Sequence, residues 1–283
     1  MQNENGGSDY LANYMSSIGF DTTPEIFEVQ YAIGGSSLEV SPLQMAGAQA
    51  MIINLGKYNK PHTVIKIEYS DGKPPFIYKS EVVQALSPEA AYLTTELLKF
   101  NVSGNVTNQD GVHYYNYMEM YQGKYQVYAK TGTSNWDYSA RAYGIPNGSI
   151  KDGWMIASTA KVTTATWMGY EKAEKVDGKV YGYMTGNVYN RNLKGKIAKM
   201  ILEKSVEVFG EPGIVEKPDG VVSIEHLGVP GKPYLSLFDG VPEDMIAVGL
   251  IKESSIEMEG GSYEAMEERL ASVYHPGDEE EEE

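Results

Sequence analysis

The most informative part of this chain is a strand-like run that ends in a cation and two hydroxyls, Tyr125-Gln126-Val127-Tyr128-Ala129-Lys130-Thr131-Gly132-Thr133. Its aromatic and β-branched residues favour an extended conformation. Two further runs of this character follow it, and turn-prone residues separate all three. Such an order is typical of an antiparallel meander. We therefore predict three neighbouring strands at 126–133, 154–159 and 162–170.

The polar end of the first run carries groups that bind carboxylates. Lys130 supplies a fixed positive charge, while Thr131 and Thr133 supply hydroxyl groups. Gly132 has no side chain, which lets another backbone or a ligand approach closely. A strand edge also binds extended peptides through main-chain hydrogen bonds, and the N–H of Thr133 is suited to stabilise an oxyanion. Taken alone, these residues fit a polar strand end that enters a turn better than a binding site, and both interpretations stay open at this point.

Two helices are indicated upstream by their capping residues. Ser41-Pro42 begins the first with a hydroxyl at the N-cap and proline at the first helical position, and Gly56 ends it. Ser87-Pro88 begins the second by the same logic. Between them, residues 62–78 alternate and turn at Asp71-Gly72, which predicts a hairpin.

A third, longer helix is predicted at 192–208. Its pattern assigns an inner apolar face to Leu193, Ile197, Met200, Ile201 and Val208, and an outer basic face to Lys194, Lys196, Lys199 and Lys204. Short helices, a three-stranded meander and a closing helix together indicate an α+β fold in which an antiparallel sheet is flanked by helices.

Composition excludes several classes of protein. The 283 residues include no cysteine and four scattered histidines, so we expect no disulfide, no metal site and no cofactor held by these groups. The formal net charge of −16 comes with no basic stripe, which excludes nucleic acid as a partner. No run of eighteen apolar residues is present, and the first residues lack the features of a signal peptide.

The charge is concentrated at the C-terminal end. Residues 253–283 hold twelve acidic residues and one arginine, a net charge of −11. We predict three parts: a main domain at 1–209, an irregular, β-rich extension at 210–252, and an acidic, disordered tail at 253–283.

Several ordered segments resemble the transpeptidase domain of penicillin-binding proteins, and more closely the class A kind that also carries a glycosyltransferase. Lys130-Thr131-Gly132-Thr133 resembles the third motif of these serine acyltransferases. The similar flanking segments are Ala32-Ile33-Gly34-Gly35, Val40-Ser41-Pro42-Leu43-Gln44-Met45-Ala46, Lys151-Asp152-Gly153-Trp154, Thr163-Thr164-Ala165-Thr166-Trp167-Met168-Gly169-Tyr170 and Phe209-Gly210-Glu211-Pro212-Gly213-Ile214-Val215.

The resemblance implies a serine β-lactamase/penicillin-binding transpeptidase-like fold and acyl transfer between peptidoglycan stem peptides. It assigns Lys130, Thr131, Gly132 and Thr133 to substrate binding and the oxyanion hole, and it implies β-lactams as ligands. It also implies a place on the outer face of the cytoplasmic membrane, reached through an anchor that this chain does not show.

The family's Ser-x-x-Lys and Ser-x-Asn motifs are not found ahead of Gly34-Gly35, where the resemblance would place them. Ser158-Thr159-Ala160-Lys161 fits the first by letters but follows Lys130, at a turn between two predicted strands. Ser103-Gly104-Asn105 fits the second but follows the Ser41 helix. We therefore expect an N-terminally truncated domain with no catalytic residue in this chain, whose partner is the missing N-terminal part.

Two alternatives remain. One is a non-catalytic homologue that binds stem peptides or a protein partner through the Lys130 strand edge. The other is a D,D-carboxypeptidase or serine β-lactamase, which the segments after Val208 disfavour.

Overall fold

The computed structural model describes residues 7–22, 39–103, 124–228 and 235–256. Within these ranges the helices are α1 (Gly7–Ser17), α2 (Pro42–Ile53), α3 (Pro88–Ser103), α4 (Gly186–Tyr189) and α5 (Leu193–Phe209). The strands are β1 (Lys57–Asn59), β2 (Lys66–Ile67), β3 (Phe76–Ile77), β4 (Val82–Gln84), β5 (Tyr128–Asn135), β6 (Ile150–Ser158), β7 (Thr163–Gly169), β8 (Glu174–Val176), β9 (Lys179–Tyr181), β10 (Val221–Leu227) and β11 (Ile246–Lys252). The chain divides into two compact units, and its described residues up to Val215 belong to the first.

The centre of the first unit is an antiparallel sheet with the strand order β5-β6-β7, which confirms the predicted meander. β6 begins at Ile150, four residues before the predicted start. The reason is that Asp152 and Gly153 pair with Ser134 and Thr133 through backbone groups, and this pairing does not depend on the type of side chain. Apolar alternation therefore marks only the buried half of this strand.

Opposite faces of the sheet are covered by different helices. Ala198 and Leu202 of α5 pack in one buried cluster with Ala129, Met155 and Ala157. On the other face, the buried Gln49 of α2 donates from Nε2 to the carbonyl oxygen of Tyr128 at 3.1 Å and to Ser158 Oγ at 2.8 Å. Because successive residues of a strand point to opposite faces, the two helices enclose the sheet between them.

The predicted orientation of α5 is wrong. The five apolar residues assigned to its inner face are 42–68% exposed, whereas Lys194, assigned to the outer face, is 3% exposed. The face that packs on the sheet instead carries Gly195, Ala198, Leu202 and Ser205. Small residues at this spacing let the helix approach the sheet closely, so size decides the contact face more than hydrophobicity does.

The start and end of α2 agree with the sequence. The Ser41 hydroxyl accepts from the Gln44 N–H at 3.2 Å, and the Gln44 side chain accepts from the Ser41 N–H at 2.9 Å, which is a complete capping box. Beyond the helix, Gly56 has φ +82° and its N–H donates to the Met51 carbonyl at 2.9 Å. The predicted glycine stop is confirmed.

Replacing Ser41 with alanine should lower the free energy of unfolding by about 1 kcal/mol, because the Gln44 N–H loses its acceptor. Urea unfolding followed by circular dichroism measures the change. Ser41→Thr keeps an acceptor at the same position and should lose less than half as much. Equal losses in the two variants would mean that the hydroxyl does not cap α2.

Between α2 and α3 lie two short strand pairs. β2 pairs with β3, with Lys66 opposite Ile77, which confirms the hairpin predicted around Asp71-Gly72. β1 pairs with β4, with Tyr58 opposite Val83. α3 begins at Pro88 after Ser87, whose hydroxyl accepts from the Ala90 N–H at 3.2 Å, as the capping pattern predicts.

The second unit is described at 216–228 and 235–256. It contains the antiparallel pair β10 and β11, in which Val221 lies opposite Lys252 and Leu227 opposite Ile246. Leu227 and Leu235 form its small buried cluster. The predicted boundaries at 209/210 and 252/253 stay predictions, and most of the acidic tail lies outside the described residues. In the parts of the chain that are described, no helix is long and apolar enough to cross a membrane.

Candidate functional site

Lys130, Thr131, Gly132 and Thr133 lie in the middle of β5. As far as the structure describes the chain, β5 pairs with β6 alone, so it is an edge strand of the sheet. The Asn101 side chain of α3 donates to the Ala129 carbonyl at 3.2 Å, just before this segment. The four predicted site residues are therefore consecutive in one extended strand at the edge of the sheet.

Lys130 carries an exposed ammonium group. Its Nζ donates to the carbonyl oxygen of Thr131 at 2.7 Å, a contact with the adjacent residue of the strand. No carboxylate forms an ion pair with it among the described residues. A cation held against its own strand in this way is suited to receive an anionic group from outside.

Gly132 lies directly across from Trp154 in the sheet. A Cβ atom built on Gly132 would lie 3.3 Å from the Cβ of Trp154, a tight contact. The Trp154 ring in turn lies beside that of Trp167, with 6.4 Å between ring centroids. The missing side chain therefore lets β5 lie close to the tryptophan.

Thr133 and Ser134 extend the row of polar residues along β5, with partners on opposite faces of the sheet. The Thr133 hydroxyl is hydrogen-bonded to the hydroxyl of Tyr189. Ser134 Oγ donates to Asp152 Oδ1 at 2.8 Å, and the other carboxylate oxygen accepts from Trp167 Nε1 at 3.2 Å. Asp152 thus links all three strands of the sheet through side-chain hydrogen bonds.

Ser158 lies in surroundings unlike those of an activated nucleophile. It ends β6, is fully buried, and its hydroxyl contacts Gln49 Nε2 at 2.8 Å and Thr163 Oγ1 at 2.9 Å. Lys161 lies beyond it in the turn to β7 and donates to the Phe209 carbonyl at 2.9 Å. The prediction that this Ser-x-x-Lys spacing is a turn between strands is confirmed.

A second segment, Ser70-Asp71-Gly72-Lys73, also has the Ser-x-x-Lys spacing. It forms the exposed turn between β2 and β3, and Lys73 pairs with Asp71 at 2.6 Å. A nucleophile activated by its lysine needs both side chains on one face, as the first turn of a helix provides. Gly34-Gly35 and most of Ser103-Gly104-Asn105 lie outside the described residues.

The described residues contain no group of three or more acidic or histidine side chains that could hold a metal ion. The polar groups along the exposed part of β5 are the ammonium of Lys130, the hydroxyls of Thr131, Thr133 and Ser134, and the main chain.

Comparison with known proteins identifies the family. The sequence model of the protein family described as penicillin binding protein transpeptidase domain matches residues 2–203. The chain belongs to this family. The α+β class and the resemblance to class A penicillin-binding proteins, both inferred from the sequence, are thereby confirmed at the level of the transpeptidase domain.

Two curated relatives come from Bacillus subtilis (strain 168). Penicillin-binding protein 1A/1B is 32% identical over 224 residues, which cover 76% of this chain and 22% of the relative. Penicillin-binding protein 1F is 28% identical over 163 residues, which cover 58% of this chain and 20% of the relative. The transpeptidase chain therefore spans about a fifth of the length of these relatives.

Among solved structures, penicillin-binding protein 2X from Streptococcus thermophilus is similar with a TM-score of 0.49 at 16% identity. The similarity covers 71% of this chain and 30% of that one.

Sequence reasoning missed Tyr189 as a member of the site. It is 56 residues from Thr133 and comes from the four-residue helix α4, which no periodicity marks. The available signal was Gly153 in the segment 151–154, since a buried strand residue without a side chain indicates that another group approaches closely.

Proposed function

We propose that this transpeptidase domain grips the terminal carboxylate of a peptidoglycan stem peptide with Lys130, Thr131 and Thr133. The observation that carries the proposal is the exposed ammonium of Lys130 on an edge strand, followed by two hydroxyls. A charge-assisted hydrogen bond from the ammonium and neutral ones from the hydroxyls are complementary to a carboxylate. The edge of β5 offers main-chain groups to an extended peptide.

In this proposal the reaction is acyl transfer in two steps. The hydroxyl oxygen of a serine, which we place on the segment that precedes Gly34-Gly35 in the complete protein, attacks the penultimate D-alanine carbonyl. The peptide bond breaks, and the terminal D-alanine leaves with a proton on its amine. The amine of a neighbouring stem peptide then attacks the ester, forms the cross-link and releases the serine.

The role of β5 in these steps is binding and charge stabilisation. The carboxylate that Lys130 and the two threonines hold belongs to the leaving D-alanine, so the site fixes the scissile bond relative to the serine. The main-chain N–H of Thr133 stabilises the oxyanion of the tetrahedral intermediate. We propose that β-lactams enter by the same contacts, and that the domain works on the cell-wall side of the cytoplasmic membrane.

A peptide pair tests the carboxylate assignment. Diacetyl-L-lysyl-D-alanyl-D-alanine should bind the 283-residue chain, and its C-terminal amide should bind at least about 10-fold more weakly, because a charge-assisted hydrogen bond is lost. Titration of ¹⁵N-labelled protein should move the amide signals of Thr131, Gly132 and Thr133. Equal affinity for the acid and the amide, or shifts confined to other residues, would contradict the proposal.

The second candidate function is peptide binding without catalysis. It is favoured by the placement of Ser158 and Ser70, neither of which has the surroundings of an activated nucleophile. Incubation of the complete protein with a fluorescent penicillin distinguishes the two candidates. A covalent label supports acyl transfer by a serine of the complete protein, whereas binding of the acid peptide without any label supports peptide binding without catalysis.

A further inference from the structure

The side chain of Tyr189 lies over β6 and contacts Thr133 of the proposed carboxylate site. It is the last residue of α4, where its own N–H donates to the Thr185 carbonyl at 3.1 Å and its carbonyl accepts from the Asn192 N–H at 3.0 Å. Both of its backbone groups are therefore used in the turn that leads into α5. Its phenol hydroxyl is hydrogen-bonded to the hydroxyl of Thr133.

Gly153 makes this reach possible. It pairs with Thr133 in the sheet, and a Cβ atom built on it would lie 2.8 Å from Cε2 of Tyr189. The tyrosine ring therefore lies against the bare backbone of β6, directly beside Thr133. Any side chain at position 153 would displace the ring and its hydroxyl.

The side chain of Lys194 packs against the face of the Tyr189 ring. This side chain is 3% exposed, and its Nζ lies 3.8 Å from the centroid of the Tyr189 ring. The same built Cβ on Gly153 would lie 3.4 Å from Cδ of Lys194, so lysine and tyrosine share the space that the glycine leaves. A buried ammonium over an aromatic face is a strong form of the cation–π interaction.

We infer that Tyr189 is a positioning residue for Thr133, and that the buried Lys194 fixes Tyr189 in place. A phenol is the stronger donor of the two hydroxyls, and a cation over its ring strengthens that preference, so Tyr189 donates and Thr133 accepts. Thr133 has one proton to donate. With a lone pair occupied by Tyr189, that proton is directed to the exposed side of β5, where the carboxylate arrives. The inference deepens the proposed function and rests on it.

The test measures binding of diacetyl-L-lysyl-D-alanyl-D-alanine to the 283-residue chain. Tyr189→Phe removes one hydroxyl and should weaken binding about fivefold, the equivalent of one ordinary hydrogen bond. The matched control is Tyr181→Phe, which removes the hydroxyl of an exposed tyrosine in β9 and should leave the affinity unchanged. Thermal midpoints of both variants should stay within about 2 °C of the parent, because water replaces the lost partner of Thr133.

A double-mutant cycle separates positioning from a general structural effect. If Tyr189 acts through Thr133, then Tyr189→Phe should have no effect on affinity in a Thr133→Val background. The signal of the Thr133 methyl group should also move in Tyr189→Phe, and not in Tyr181→Phe, before any peptide is added.

The outcomes are distinct. An unchanged affinity in Tyr189→Phe, or the same fivefold loss with Val at position 133, overturns the inference and leaves the proposed function intact. A parent chain that binds acid and amide peptides equally overturns the proposed function, and the inference falls with it.

Discussion

Replacing Gly56 with alanine should destabilise the first unit by about 3 kcal/mol, whereas the same change at Gly72 should cost about 1 kcal/mol. Both glycines have a left-handed backbone, with φ of +82° and +80°. Placing alanine in this conformation lowers the free energy of unfolding by a similar amount at both positions. The difference between them comes from what surrounds each residue.

The surroundings of Gly56 leave no space for a methyl group. A Cβ atom there would lie 2.2 Å from the carbonyl oxygen of Leu86 and 2.8 Å from its carbonyl carbon. That backbone cannot move away easily, because the Gly56 carbonyl accepts from the Ala85 N–H at 2.8 Å. At Gly72, in the turn between β2 and β3, nothing lies within 4 Å of the corresponding position.

Urea unfolding of the two variants, followed by circular dichroism, measures both losses. Gly72→Ala serves as the matched control for backbone strain without overlap. Losses of equal size would show that the segment containing Leu86 shifts freely, and that α2 is not fixed against it. Because α2 holds the sheet through Gln49, we also expect Gly56→Ala to broaden the amide signals of β5.

Features with a local cause could be predicted from the sequence. The ends of α2 follow from Ser41, Pro42 and Gly56, each acting through neighbours within a few residues. The meander follows from three strand-like runs that succeed one another in the chain, and the placement of Lys130 and Thr133 on one strand follows from the first of these runs. The caps of α2 act within a few residues, and the sheet pairs strands that are neighbours in chain order.

Features that depend on distant packing could not be predicted. The predicted inner face of α5 was wrong because the buried face carries the small residues Ala198 and Ser205, which a search for large apolar side chains passes over. Ala198 is selected by its packing against Met155, a residue distant in the chain. Lys194 was assigned to solvent because a charge on a helix usually faces water. Its burial depends on the Tyr189 ring and on the missing side chain of Gly153, and none of these residues indicates the others by sequence spacing.

Replacing Lys130 with methionine should weaken binding of the acid peptide by at least about 20-fold, the largest loss that we expect from a single side chain in this domain. The ammonium of Lys130 is exposed and contacts only the carbonyl of Thr131 at 2.7 Å among the hydrogen bonds described. Its removal therefore leaves no buried group without a partner, and the thermal midpoint should change by less than about 2 °C. A loss of affinity without a loss of stability identifies a binding group.

The matched control is Lys175→Met, an exposed lysine of β8. Both variants change the formal net charge from −16 to about −17. Long-range repulsion of an anionic peptide therefore increases equally in the two proteins, and it is largely screened at physiological ionic strength. Only the contact made by Lys130 differs, so Lys175→Met should bind the acid peptide with nearly the affinity of the parent.

The amide peptide completes the argument, because it removes the negative charge from the ligand instead of the positive charge from the protein. If Lys130 pairs with the terminal carboxylate, the amide should bind the parent and Lys130→Met with similar, weak affinity, and the two losses should not add. Lys130→Arg keeps the charge but places it on a longer, planar group, so we expect an intermediate loss of a fewfold. If Lys130→Met instead weakens binding of the amide peptide as much as binding of the acid peptide, then Lys130 contacts another part of the peptide. The carboxylate would in that case be held by the hydroxyls and main chain of β5 alone.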